Sequence, residues 1–296
     1  MNPVTGLEDL ALLLVASLAP ALVYLVWIRT SERYRAEPWG TVLSLFGYGA
    51  LFATFVAAFL ELILVSVGTA ASKSLPAPEF SFLNGNSTAG TFFLVLVLAP
   101  TIEEALKASG VIRYRSSIGT IADGPVFGAS VGLGFGFFET FLYGLGEFAV
   151  GGLVAGLTLI FIRSISSVLL HGSSTAMFGY GYASSKLEGK GWASGGYYLL
   201  AVAMHASFNV LASLGALLAA LGWSNVVGGY ADTLGLLLAV IFAAAALNHV
   251  LNVIHRSAYP SASGAPARYR PPPSAPVANR ATMVRRPPPP PRLGAS

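Results

Sequence analysis

The stretch TFFLVLVLAPTIEEALKASGVI, residues 91–112, joins an apolar run long enough to cross a membrane to three charged side chains. A transmembrane helix needs about 20 mostly apolar residues, and an ionisable group within one usually faces a cavity or another helix. The charges are Glu103, Glu104 and Lys107, and Glu103 precedes Lys107 by four residues, the spacing of a helical ion pair. Residues 91–112 therefore predict a membrane helix that carries a functional site.

The whole chain has the composition of a membrane protein. Of its 296 residues, 54% are hydrophobic and only 10% are charged, whereas a soluble domain of this size needs more charge to cover its surface. This composition excludes disorder, a coiled coil and a nucleic-acid-binding surface for the bulk of the chain. Because the chain has no cysteine, disulfides, thiol catalysis and cysteine-ligated zinc are also excluded.

Seven windows are long and apolar enough to be membrane helices, so we predict an all-α, polytopic transmembrane helix bundle. The predicted spans are Leu10–Ile28, Thr41–Gly68, Thr91–Ile112, Pro125–Leu145, Gly152–Tyr182, Gly195–Leu221 and Thr233–Ile254. Among the basic residues that connect these spans, only Lys73 falls on the side opposite to the others. The positive-inside rule then places the N-terminus outside and the C-terminus in the cytoplasm.

The C-terminal segment differs in composition from the rest. Residues 256–296 hold seven arginines and no acid, and they include the proline runs Pro271–Pro273 and Pro287–Pro291. We therefore divide the chain into a transmembrane domain, residues 1–255, and a disordered Pro/Arg-rich cytoplasmic tail. The tail is either a linker or a ligand for a cytoplasmic partner.

Eight ionisable side chains lie within the predicted spans, and all but Glu61 belong to spans three to six. The eight are Glu61, Glu103, Glu104, Lys107, Glu139, Arg163, His171 and His205. Counted at about 1.5 Å per residue from the cytoplasmic ends, Glu103, Glu139, His171 and His205 lie roughly 14–21 Å deep. Four helices thus place these groups at one level.

Two further patterns shape this region of the predicted bundle. Pro100 removes a backbone donor, which should kink the third span and free the carbonyl of Leu96. Glycines recur at every fourth residue of the fourth span and allow a neighbouring helix to approach closely, next to Glu139. They are Gly124, Gly128, Gly132 and Gly136.

The buried groups suit hydrolysis of an amide. A carboxylate beside an imidazole can deprotonate water, and His205 with Asn209, four residues later, can donate hydrogen bonds to an oxyanion. A His-Glu-x-x-His motif is absent, the aspartates lie in loops or at span ends, and a serine mechanism leaves the glutamates unused. Two other functions stay open: a proton-coupled transporter that uses these groups as a relay, and a non-catalytic membrane scaffold.

Four motifs, each on a separate span, make the chain resemble the PrsW-type intramembrane proteases. This family belongs to a wider clan of CAAX-processing and bacteriocin-processing membrane proteases. The motifs are Glu-Glu-x-x-Lys at Glu103, Glu104 and Lys107, Phe-x-x-x-Glu at Phe135 and Glu139, an arginine eight residues before a histidine at Arg163 and His171, and His-x-x-x-Asn at His205 and Asn209. The resemblance covers residues 91–214.

The resemblance implies an intramembrane endopeptidase of a prokaryotic cell membrane. Glu103 would be the main water activator, Glu104 and Lys107 would shape its charge, and Glu139 or His171 would assist. The substrate would be a membrane-anchored protein such as an anti-sigma-factor-type regulator.

The resemblance also implies that His205 and Asn209 stabilise the oxyanion. From the residues themselves, we expect Arg163 to be structural and to pair with a glutamate, and the Phe135 ring to serve packing. Metal dependence stays open, because a metal-free glutamate mechanism and a divalent metal such as zinc both fit. The zinc ligands would be Glu103, His171 and His205 with Glu139.

Overall fold

The computed structural model describes residues 3–32, 36–74 and 78–258, and these residues form helices and no strand. The prediction of an all-α protein is confirmed. The last helix continues through Ala258, so the predicted tail from residue 259 onwards lies outside the described residues.

Ten α-helices follow one another in the described chain, joined in places by turns of other helical types. The α-helices are α1 (Pro3–Ser31), α2 (Trp39–Gly47), α3 (Thr54–Ser74), α4 (Thr88–Phe93), α5 (Ala99–Arg113), α6 (Asp123–Ser164), α7 (Ser167–Glu188), α8 (Ala193–Ala212), α9 (Leu214–Ala220) and α10 (Asn225–Ala258). Two π-helical segments, Tyr48–Ala53 and Leu94–Leu98, join α2 to α3 and α4 to α5, and two 3₁₀ turns cover Pro78–Leu83 and Arg115–Ser117.

Five helical stretches of the described chain are long and apolar enough to cross a membrane, or six if α8 and α9, bent by 70°, form one span. The five stretches are Gly6–Ser31, Trp39–Ser74, Thr88–Arg113, Asp123–Glu188 and Val226–Ser257. The protein is therefore an integral membrane protein. The count differs from the predicted seven mainly because the 66-residue stretch Asp123–Glu188 contains the fourth and fifth predicted spans.

The chain reverses its direction inside α6, at Gly152. This residue has φ 77° and ψ −174°, a conformation that side chains with a Cβ rarely adopt. The two arms then run antiparallel: Gly144 lies against Gly156 and Ile160, and further along Glu139 reaches Arg163. The long helix is thus a hairpin.

The glycine stripe of α6 contacts α7 at backbone distance, as its spacing predicts. A Cβ placed on any of three of these glycines would overlap a carbonyl oxygen of α7, so only glycine fits there. The facing pairs are Gly124 with Gly179, Gly128 with Thr175, and Gly132 with His171. This close approach brings His171 beside the helix that carries Glu139.

The main core lies where α6 and α7 pack against α1, α2 and α10. It includes Leu25 and Ile28 of α1, Leu133 of α6, Leu170 of α7 and Ile254 of α10, all of which are fully buried. Because lipid is as apolar as these side chains, close packing and polar contacts, rather than exclusion from water, favour this association.

Candidate active site

A cavity of about 470 Å³ lies among α3, the π-helical segment Leu94–Leu98, α5, α6, α7 and α8. Its lining glutamates, arginine and histidines come from five α-helices, and one of these residues lies on the far arm of the hairpin. They are Glu61, Glu103, Glu139, Arg163, His171 and His205. The four groups that the sequence places at one depth therefore meet in a single cavity.

Glu104 is buried behind this cavity and is fully occupied with hydrogen bonds. Its Oε1 accepts from Lys107 Nζ at 2.8 Å and from Ser174 Oγ at 3.0 Å, and it lies 3.2 Å from His205 Nδ1. Its Oε2 accepts from Thr175 Oγ1 at 3.1 Å. Since Glu104 does not line the cavity, this geometry suits positioning of Lys107 and His205 better than contact with a substrate.

Glu103 has the opposite environment. Its side chain lines the cavity, and its buried Oε2 has no hydrogen-bond partner among the described residues. This oxygen lies 3.4 Å from Lys107 Nζ, 3.9 Å from His205 Nδ1 and 4.0 Å from His171 Nδ1. A buried carboxylate oxygen without a partner is a place where water or a cation binds.

His171 connects the two halves of the site through both of its ring nitrogens. Nδ1 lies 2.8 Å from Lys107 Nζ, and Nε2 lies 2.8 Å from Glu139 Oε2. Because an ammonium has only donors, Nδ1 accepts a hydrogen and Nε2 donates to Glu139. Glu139 Oε2 also accepts from Arg163 Nη2 at 2.7 Å. The arginine therefore pairs with a glutamate, which holds the imidazole in turn.

Asn209 satisfies a backbone carbonyl that the sequence leaves without a partner. In the π-helical segment the Ala99 N–H bonds to the Leu94 carbonyl, so the next carbonyl, that of Val95, would need a donor from Pro100, which has none. Asn209 Nδ2 donates to the Val95 carbonyl at 2.8 Å instead. The sequence predicted that Pro100 frees Leu96, but the π-helical spacing moves the gap by one residue.

Several side chains that support the site were not predicted for it. Ser174 and Thr175 follow His171 by three and four residues, and their spacing is the signal that would have placed them near the site. Tyr143 follows Glu139 by four residues, and its ring lies 4.1 Å from the Arg163 guanidinium. Glu61 also lines this cavity, although the sequence analysis gives it no role in the site.

The Phe135 ring, predicted to serve packing, packs against the charged end of Lys107. Lys107 Nζ lies 4.2 Å from the ring centroid, close enough for a cation–π contact. The ring is buried, and it also lies beside the His171 imidazole, with 5.2 Å between the ring centroids. Phe135 thus packs against both the Lys107 ammonium and the His171 imidazole.

The donor set fits a divalent metal ion. Glu103, His171 and His205 each offer one ligand atom, and these atoms lie within 4.8 Å of one another. Two histidines and a glutamate can bind zinc, and the unpartnered Oε2 of Glu103 has a lone pair to give.

Glu139, which the sequence included among the ligands, stands elsewhere in this arrangement. It accepts from His171 Nε2, as carboxylates behind metal-binding histidines commonly do, and it is outside the ligand group. Lys107 contacts the other nitrogen of His171, so an ion and the ammonium would compete for Nδ1.

Comparisons with known proteins match the chain to a family model and to a curated relative. The family model described as "PrsW family intramembrane metalloprotease" matches residues 37–247. A relative, Protease PrsW of Geobacillus kaustophilus (strain HTA426), is 28% identical over 224 residues, which cover 73% of this chain and 84% of the relative. No solved structure matches the chain.

Proposed function

This chain belongs to the PrsW family of intramembrane proteases, and from this membership we propose that Glu103 activates the water that cleaves a membrane-anchored protein. The observation that carries the proposal is that Glu103 lines the cavity while its buried Oε2 has no hydrogen-bond partner among the described residues. A carboxylate in this position can accept a proton from water.

In the proposed reaction, a water gives a proton to the Glu103 carboxylate while the water oxygen attacks the carbonyl carbon of the scissile peptide. The proton then passes to the leaving nitrogen as the C–N bond breaks. The second amide hydrogen of Asn209 donates to the oxyanion, since the first is used by Val95. His205 donates there only as an imidazolium, because its Nδ1 hydrogen faces Glu104 Oε1. Glu139 and Arg163 hold the His171 imidazole in place for this chemistry.

The same residues are proposed to hold a divalent ion. Glu103, His171 and His205 would be its ligands, with Glu139 behind His171, and zinc is the ion that this donor set favours. When bound, such an ion supplies Lewis acidity. Glu104 would keep His205 in register and hold Lys107 beside the ligand group.

For the membrane topology we propose seven spans, an outer N-terminus and a cytoplasmic C-terminus. The hairpin at Gly152 supports two spans within Asp123–Glu188, and the bent pair α8 and α9 supplies one more. The skewed distribution of Lys and Arg supports the orientation.

The proposed substrate is a single-span regulator of the anti-sigma-factor type, and the proposed partner of residues 256–296 is a cytoplasmic protein. The family resemblance supports the first proposal, and the proline runs support the second.

The function is tested with the full chain in liposomes and an anti-sigma-type single-span substrate. We expect cleavage by the natural chain and none by the Glu103→Gln variant, because the amide cannot take the proton from water. Glu147→Gln is the matched control. It makes the same substitution at an exposed glutamate outside the cavity, so cleavage should be unchanged. Full cleavage by Glu103→Gln would overturn the assignment of Glu103.

A further inference from the structure

Glu61 is an ionisable residue of the cavity that neither the family motifs nor the mechanism above uses. It lies on α3, half-buried, and its Oε1 is inaccessible and has no hydrogen-bond partner among the described residues. A carboxylate without a hydrogen bond or a paired cation is costly within a membrane, and a cation on a bound substrate would lower that cost.

The other acids of the site have cationic partners. Glu139 is paired with Arg163 at 2.7 Å, and Glu104 is paired with Lys107 at 2.8 Å. Glu103 shares Lys107 at 3.4 Å, whereas no salt bridge joins Glu61 to a cation in the described part of the chain. The site therefore holds four acids and two cations, and Glu61 is the acid for which the described part of the chain shows no salt bridge.

The position of Glu61 is beside the reacting groups rather than among them. Ala57 packs in one cluster with Ile102 of α5, while Leu64 and Leu98 line another small pocket, so α3 and α5 run antiparallel. Glu61 lies between these two levels, displaced from Glu103 toward the π-helical segment. A substrate residue near the scissile bond, but not at it, would meet Glu61.

The wall of α3 around Glu61 also leaves room for a long side chain. Thr54, Ala57 and Ala58 line the cavity on the same face, at helical spacing, and all three are small. Glu61 is the long polar residue of this wall. An extended aliphatic stem can lie along the small residues while its charged end reaches the carboxylate.

We propose that Glu61 forms a subsite for a lysine or arginine side chain of the substrate, close to the scissile bond. This rests on the proposed function, because it assumes that a protein segment occupies the cavity. The cation neutralises the remaining carboxylate and places the segment along α3. Specificity then comes from charge as well as from apolar contact.

The test uses synthetic single-span peptides of leucine and alanine, each with one lysine, and each matched by a peptide with methionine at that position. Lysine is moved along the span, one position per peptide. Binding to the full chain in liposomes is measured by fluorescence transfer, and cleavage is measured separately by mass spectrometry. We expect lysine at one or two adjacent positions to bind at least about tenfold more tightly than methionine, because a desolvated charge pair is gained.

Two variants make the result specific to Glu61. Glu61→Gln should remove the lysine preference, and Glu61→Lys should replace it with a preference for glutamate at the same positions. Glu147→Gln, which removes an equal charge outside the cavity, should keep the lysine preference.

The proposal is overturned if no position favours lysine in the natural chain, or if the preference persists in Glu61→Gln. Binding that depends on Glu61 without any cleavage would support the subsite and count against the proposed reaction. Cleavage without any charge preference would support the proposed reaction and count against the subsite.

Discussion

Two adjacent glutamates of one helix have different environments at the scale of single residues. Glu104 is hydrogen-bonded through both oxygens, whereas Oε2 of Glu103 has no hydrogen-bond partner in the described chain. Adjacent residues on a helix point about 100° apart, so one can face α7 while the other faces the cavity. We therefore expect stability to depend on Glu104 and cleavage to depend on Glu103.

The first prediction compares one substitution at these two positions. Glu104→Gln should lower the free energy of unfolding by about 3 kcal/mol, since Lys107 loses its nearest counter-charge in a buried site. Glu103→Gln should change it by less than about 1 kcal/mol, because Oε2 makes no hydrogen bond and Lys107, 3.4 Å away, keeps its nearer partner Glu104. Titration of the protein in mixed micelles with a denaturing detergent measures both. Equal losses for the two variants would contradict the division of roles.

The second prediction concerns the metal. Purified natural chain should bind one divalent ion, and His205→Ala should lose it, because a ligand is removed. Glu139→Gln should bind it about 10–100-fold more weakly, since a partner behind a ligating histidine orients that ligand. Elemental analysis and competition with a zinc indicator measure content and affinity. Unchanged affinity in His205→Ala would exclude this ligand set.

At the scale of elements, the junction of α5 and α8 depends on a hydrogen bond between a side chain and the backbone. The π-helical segment and Pro100 together leave the Val95 carbonyl without a helical donor, and Asn209 supplies one. A backbone carbonyl without a partner costs more in a membrane than at a water-exposed surface, because lipid cannot replace the donor. Asn209 thus couples the helix of Glu103 to the helix of His205.

The third prediction is a double-mutant cycle on this junction. Asn209→Ala should cost about 1–3 kcal/mol of unfolding free energy, but less than about 1 kcal/mol in a Pro100→Ala background, where residue 100 has an N–H for Val95. Asn252→Ala, at an exposed asparagine of α10, is the control and should show no coupling with Pro100→Ala. Additive losses at Pro100 and Asn209 would show that Asn209 does not replace the missing donor.

The same cycle separates two roles of Asn209. If Asn209 also donates to the oxyanion, the Pro100→Ala background should restore stability to Asn209→Ala but should not restore cleavage.

For the whole molecule, the reversal at Gly152 decides how many times the chain crosses the membrane. Sequence windows separate Pro125–Leu145 from Gly152–Tyr182 on hydropathy, and the helical segment Asp123–Ser164 is interrupted at Gly152 by a non-helical conformation. The two arms contact each other in antiparallel order, Gly144 with Gly156 and Glu139 with Arg163, so the chain turns back on itself. The site depends on this turn, since it brings Arg163 back to Glu139.

The fourth prediction uses the absence of cysteine from the chain, which allows single cysteines to report the side of the membrane. Ser116→Cys and Lys190→Cys, at exposed positions just before and just after the hairpin in the chain, should both react only from the cytoplasm. Gly146→Cys, near the turn, should react from outside. A membrane-impermeant maleimide applied to intact cells and to inverted vesicles measures this. If Ser116 and Lys190 react from opposite sides, the stretch crosses the membrane once and the hairpin topology is wrong.

The sequence by itself determined the helical class, the membrane environment and the common depth of Glu103, Glu139, His171 and His205, because hydropathy, charge and spacing along a helix are local properties. It could not determine which glutamate faces the cavity, where Glu139 stands relative to the donor set, or that Glu61 shares the cavity with Glu103. These depend on the rotation of each helix about its axis and on contacts between residues far apart in the chain. Only the packing of α3, α5, α6, α7 and α8 against one another decides them.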